Sequence, residues 1–143
     1  MKEQIISFKT AKLAKEIGFK LKTMYYYNSD NPLSDNIKLE RRGWVSFDDI
    51  GNEHSSINEE SGLLNYYLEP INNAPTQSLL QKWLMERKKI YVIPVKQKGL
   101  GFHLQIRKID SEGDYRMIYQ KTNHLWSYEE ALEEGLQKAL KLL

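Results

Sequence analysis

Residues 127–143, SYEEALEEGLQKALKLL, decide how the rest of the chain is read. Tyr128, Ala131, Leu132, Gly135, Leu136, Ala139, Leu140 and Leu143 recur at the three- and four-residue spacing that lines one face of an α-helix. Glu129, Glu130, Glu133, Glu134, Gln137, Lys138 and Lys141 take the opposite face, which the pattern predicts to be solvated. Ser127 followed by Glu130 matches a capping box, and acids at the start with lysines near the end agree with the helix dipole. Such a stripe needs a surface to cover, and the residues before it supply one.

Ile90 to Lys96 is a β-rich run, and Gly99 to Gly101 is a turn. Phe102 to Ile109 alternates, with Phe102, Leu104, Ile106 and Lys108 on one face. Asp110, Ser111, Glu112, Gly113 and Asp114 form a hairpin turn before a third strand, Tyr115 to Lys121. Upstream, Asn72 to Pro75 reads as a turn and helix start, because proline is tolerated in a first helical turn. Leu79, Leu80, Trp83 and Leu84 form that helix's apolar face, and it fades through Arg87 to Lys89. The order is helix, three antiparallel strands, helix. The expected class is α+β, with helices packed on one face of an antiparallel sheet.

The first half carries a weaker pattern. Ser7 to Gly18 predicts a helix with Thr10, Leu13, Ala14 and Ile17 on one face, Ser7 as N-cap and Gly18 just past the end. Phe19 to Tyr27 predicts a strand, broken by Asn28 to Pro32. A β-like run within Ile37 to Ile50 centres on Trp44 to Phe47, Gly51 to Gly62 reads as a mobile loop, and Leu63 to Leu68 as a short strand. The chain is read as a single domain over 1–143, with 74–143 as its αβββα unit. Residues 1–73 are expected to extend the same sheet or pack beside it.

Composition narrows the chemistry. The chain has 143 residues, 41% of them apolar and 28% charged, enough for an ordinary globular core. It has no cysteine, so disulfides and thiolate chemistry are excluded. No segment has the run of about 20 apolar residues that spans a bilayer, and the opening residues lack a signal-peptide pattern; a cytoplasmic protein is expected. The net charge of +2 does not by itself imply nucleic acid.

Its charges are clustered. Lys9, Lys12, Lys15, Lys20 and Lys22 load one segment, and Lys82, Arg87, Lys88, Lys89, Lys96 and Lys98 another, with Asp48, Asp49, Glu53, Glu59, Glu60 and Glu69 between them. His54, His103 and His124 are too widely spaced for a zinc motif, and Asp48 to Glu60 lacks the alternation of a calcium loop. Gly99-Leu100-Gly101 leads into a strand and not a helix, so it is no phosphate cradle. The glutamates of the last helix sit on a solvated face, which does not shift carboxyl pKa values toward catalysis. No cofactor or metal is expected.

Two stretches, Ala74-Pro75-Thr76-Gln77-Ser78-Leu79-Leu80-Gln81-Lys82-Trp83-Leu84 and Ser127-Tyr128-Glu129-Glu130-Ala131-Leu132-Glu133-Glu134-Gly135-Leu136, resemble a family of small phage and prophage proteins. That resemblance implies an accessory role toward a host or phage protein. The order from Ala74 to Leu143 resembles a double-stranded RNA-binding domain. In that family, lysines opening the last helix grip phosphates; here the matching positions are Tyr128, Glu129 and Leu132, whose surrounding carboxylates repel phosphate. The closing helix also resembles that of HicB-type antitoxins.

The reading is a non-catalytic protein-interaction module. Its expected contacts are the acidic helix face at Glu129 and Glu133 or the basic strip Arg87, Lys88, Lys89, Lys96 and Lys98. One alternative is nucleic-acid binding through that strip, with Tyr25, Tyr26 and Tyr27 as a stacking surface. A second is sequestration of a nucleotide, as an anti-defence protein. Membrane binding is not expected, and oligomeric state is open.

Overall fold

The computed structural model describes residues 3–28, 37–41, 46–47, 53–54, 72–125 and 127–143. The expected strand Leu63–Leu68, most of the expected loop Gly51–Gly62, the break after Asn28, Trp44, Val45 and Trp126 lie outside the described residues, as do the side chains of His54 and His124. The chain forms two compact units, Met1–Ile6 with Thr76–Leu143, and Ser7–Pro75. Among the described residues no helix is long and apolar enough to cross a membrane.

In the unit Ser7–Pro75, helix α1 runs Phe8–Glu16, and the Ser7 hydroxyl accepts from the Thr10 amide at 3.3 Å. Gly18, at φ +98°, closes it: the Gly18 amide donates to Lys15 O and the Phe19 amide to Ala14 O. That pairing is a Schellman cap, with buried Phe19 and Ala14 as its apolar contact. The cap explains a correction. The expected strand Phe19–Tyr27 shrinks to β1, Tyr25–Tyr27, because Phe19 belongs to the helix end. β1 is the centre of an antiparallel sheet, between β2 (Leu39–Arg41) and β5 (Asn72–Ala74). Asn72–Ala74, expected as a turn, is therefore a strand, held by pairing with β1. A two-residue pair, β3 (Ser46–Phe47) with β4 (Glu53–His54), puts strand inside the expected loop.

In the other unit, residues before α1 meet the start of α2, Gln77–Trp83. Ile5 bridges to Thr76, and the Gln77 amide donates to Gln4 O at 2.8 Å. Thr76 is the N-cap, its hydroxyl accepting from the Leu79 amide, so Pro75 precedes the helix and is not in its first turn as expected. The helix widens into a π-turn, Leu84–Lys88, and stops where Lys89 adopts a left-handed conformation at φ 56°. Leu80 and Leu84 are buried, whereas Leu79 is exposed, so the apolar face is narrower than its spacing predicts.

Strands β6 (Ile90–Gln97), β7 (Gly101–Ile109) and β8 (Tyr115–Leu125) form an antiparallel meander in that order. It is a sheet separate from β2-β1-β5, so the described strands of the first half do not extend it. β8 runs beyond the expected end at Lys121, because the pairing resumes after a register shift and Leu125 still pairs with Phe102. Pro94 is accommodated because β6 is an edge strand. Between β7 and β8, the side chain of Asp110 accepts from the Glu112 and Asp114 amides, each at 3.0 Å.

Helix α3, Tyr128–Lys141, lies across one face of this sheet, with both halves of the Ser127–Glu130 capping box formed. Ala131, Leu132, Gly135, Leu136, Ala139 and Leu140 are buried against Ile90, Val92, Leu104 and Ile106. At Gly135 a Cβ would overlap Val92 Cγ1 and Leu104 Cδ1, so the helix approaches the sheet at a distance only glycine permits. α2 packs on α3, completing the α+β arrangement of helix, three antiparallel strands and helix.

Candidate functional site: the open face of the sheet

Directly opposed residues of an antiparallel pair share a face, so the register sorts the strands into two sides. Val92, Leu104 and Ile106 face α3. The alternate positions, Tyr91, Ile93 and Val95 on β6, His103, Gln105 and Arg107 on β7, and Met117 and Gln120 on β8, share the other side. Tyr115, opposite Ile109, continues it. Helix α3 packs on the opposite side, and α2 meets this one at the β6 edge beside Tyr91 and Ile93. Met117 is 46% and Tyr115 52% exposed, high values for large apolar and aromatic side chains inside a strand.

The face has internal order. Along β7, every second side chain is joined to the next: Arg107 Nη2 donates to Gln105 Oε1 at 3.1 Å, and Gln105 Nε2 lies 3.3 Å from His103 Nε2. With the amide oxygen engaged by arginine, the amide nitrogen donates, which makes His103 Nε2 the acceptor and leaves a neutral ring's proton on Nδ1. Beside Arg107, the rings of Tyr91 and Tyr115 meet at 5.0 Å, tilted by 50°. A hydrogen bond with Tyr91 raises the Tyr115 hydroxyl above the ordinary tyrosine pKa, and the Arg107 charge opposes the shift. The Tyr115 ring therefore stays uncharged at neutral pH.

Edge and turn positions differ in availability. Beside β6, a groove of about 210 Å³ is lined by Ser78, Gln81, Lys82, Met85, Tyr91, Val92 and Ile93. Gln81 Nε2 donates to Val92 O at 2.7 Å, so a side chain already occupies this acceptor of the edge. On β8, Ile118 is the extra residue of a bulge between the pairs Ile106–Tyr119 and Arg107–Met117, and it is exposed.

The residues expected to bind a partner are distributed differently from the sequence pattern. Arg87, Lys88 and Lys89 end the π-turn, and Lys88 Nζ sits 5.6 Å from the Trp83 ring. Lys96 and Lys98 lie at the other end of β6, with Lys96 Nζ 4.7 Å from the Phe102 ring. At about 3.3 Å of rise per residue, the strand separates the two groups by roughly 23 Å. They form two patches and not one strip.

The acidic face is also less free than expected. Gln77, itself buried, donates to Glu129 O at 3.1 Å and to Glu133 Oε2 at 3.2 Å, tying α2 to α3. Glu134 pairs with Lys121, and Glu130 completes the helix cap. The four glutamates thus contribute to holding the helix in place, and Glu129, Glu133 and Glu134 are half-buried where the spacing predicts full solvation. Tyr25, Tyr26 and Tyr27 are half-buried too, Tyr26 donating to Glu40 at 2.7 Å and Tyr27 meeting Phe8 edge to face at 5.4 Å.

Comparison with protein-family models, curated proteins and solved structures finds no match. Among the described residues, no three histidine, aspartate or glutamate side chains come together as a metal ion would require. The open face is therefore judged on its own chemistry: aromatic and aliphatic side chains around an imidazole, an amide and a guanidinium. Reading only the apolar parity of β7 overlooks it. The signal was in β6, where Tyr91, Ile93 and Val95 are apolar as well as Ile90 and Val92, although the meander has one helix-covered side.

Proposed function

We propose that this chain is a non-catalytic protein-interaction module whose contact surface is the open face of β6–β7–β8. The observation that carries this reading is the group Tyr91, Ile93, Val95, Tyr115 and Met117, aligned by strand register on the side opposite α3, with Tyr115 and Met117 exposed. Apolar and aromatic residues gathered at a solvent-facing surface are the signature of a recognition patch, and tyrosine, methionine and arginine are enriched in protein interfaces. The polar groups give the face hydrogen-bonding capacity: His103, Gln105 and Arg107 form a chain of side chains along β7. In keeping with the phage-type resemblance, the partner is a host or phage protein.

The test is cross-linked affinity capture from the source cells, followed by measurement with the purified partner. Met117→Lys is expected to weaken binding at least about tenfold, while Lys98→Glu, at the β6–β7 turn, leaves it nearly unchanged. Equal affinity of the wild type and Met117→Lys would sink the reading.

A second reading, binding of a single-stranded nucleic acid, draws support from the Tyr91–Tyr115 pair beside Arg107, since stacked aromatics next to a cation suit bases and phosphate. Its mark is oligonucleotide binding that falls steeply with added salt.

A further inference from the structure

We infer that the partner presents a carboxylate to Arg107, from an aspartate or glutamate set among apolar side chains. This rests on the open face being the contact surface, and it assigns Arg107 as the residue that sets specificity there.

The argument is one of unmatched charge. Among the face positions on the three strands there is one full cation, Arg107, and no acid. Two other cations of the sheet are matched within the fold: Arg116 Nε lies 2.9 Å from Asp110 Oδ2, and Lys121 pairs with Glu134, while Lys96 and Lys108 lie on the opposite side from Arg107. Among the described residues, Arg107 has no such carboxylate. Of its five N–H donors, one reaches the neutral Gln105 amide, and Nε is shielded from water with no acceptor. Buried polar groups in folded proteins nearly always find partners, and the Nη hydrogens that Gln105 does not engage are the donors a carboxylate on this face would meet.

Position strengthens the case. Arg107 is on the central strand, directly opposite Tyr91 on β6 and Met117 on β8, with the Tyr115 ring packed on Tyr91. Docking an apolar segment over these side chains would exclude water around the guanidinium. A charge-assisted hydrogen bond is strongest there, and an uncompensated charge is most costly. Carboxylate is favoured over phosphate because Ile93, Val95 and Met117 offer aliphatic contacts that suit a protein segment better than a sugar–phosphate chain.

The test uses the purified full chain as bait for a displayed random peptide library, with poly(U) RNA as the competing probe. The peptides retained are expected to carry an aspartate or glutamate flanked by apolar residues. For the best of them, acid-to-amide replacement and Arg107→Gln should each weaken binding about tenfold or more, with the two losses far from additive. Arg107→Lys should restore part of the affinity, and thermal melts of both variants check folding. Retained peptides without an acid, or unchanged affinity in Arg107→Gln, would overturn the carboxylate; loss of their binding in Met117→Lys would meanwhile keep the open-face reading. Peptide binding indifferent to Arg107 and Met117 alike would overturn both. Arg107-dependent, salt-sensitive binding of poly(U) with no peptide retained would overturn the inference in favour of nucleic acid.

Discussion

The two faces of the β6–β7–β8 sheet are built from alternate residues of the same strands, and they differ in what satisfies them. On one side, Val92, Leu104 and Ile106 are closed over by α3, with Gly135 letting the helix approach. Polar groups at its margin are paired, as Lys121 is with Glu134, and Lys138 Nζ lies 4.7 Å from the Tyr119 ring. On the other side, the side chains are comparably apolar at Tyr91, Ile93, Val95 and Met117, yet α3 does not reach them, and among the described residues the arginine between them lacks an acid. One side is closed into the core, and the other keeps its side chains only partly buried.

That contrast gives measurable differences. Leu104→Ala, on the covered side, should cost about 2–5 kcal/mol by denaturant unfolding, since it leaves a cavity where side chains from strand and helix meet. Gly135→Ala should come next, losing about 1–3 kcal/mol through overpacking even though alanine is the better helix former. A neutral or stabilising result would mean that the helix stands farther from the sheet. Met117→Lys, on the open side, should change stability by no more than about 0.5 kcal/mol while removing binding, so a large loss of stability would show that side to be part of the core. The smallest effect is on titration. Tyr91→Phe removes the hydrogen bond that raises the Tyr115 pKa, so its ionisation, followed by ultraviolet absorbance, should move back toward the ordinary tyrosine value. In the wild type the raised value means that the unfolded tyrosine ionises first. This small stabilisation is therefore present at neutral pH and lost as pH climbs through the ordinary and then the raised value.

Legibility followed distance along the chain. The capping box at Ser127, the Schellman glycine at Gly18 and the Asp110–Asp114 hairpin depend on residues within a few positions of one another, and their patterns located them correctly. Phe19 and Asn72–Ala74 were misassigned because the first is used by a helix cap and the second is held by a strand far off in sequence. Arg87 to Lys89 and Lys96 to Lys98 are near in sequence and read as one strip, yet an extended strand holds them apart.

What could be derived from residue order is the α+β plan of the second half, because helical and strand periodicities, caps and turns are local properties of the chain. Which side of the sheet stayed uncovered, why residue 135 has to be glycine, that Gln77 would bind Glu129 and Glu133, and that Arg107 would stand without an acid came from strand register and helix docking. Those are long-range pairings, and a one-residue shift of register would have turned every one of these side chains to the opposite face.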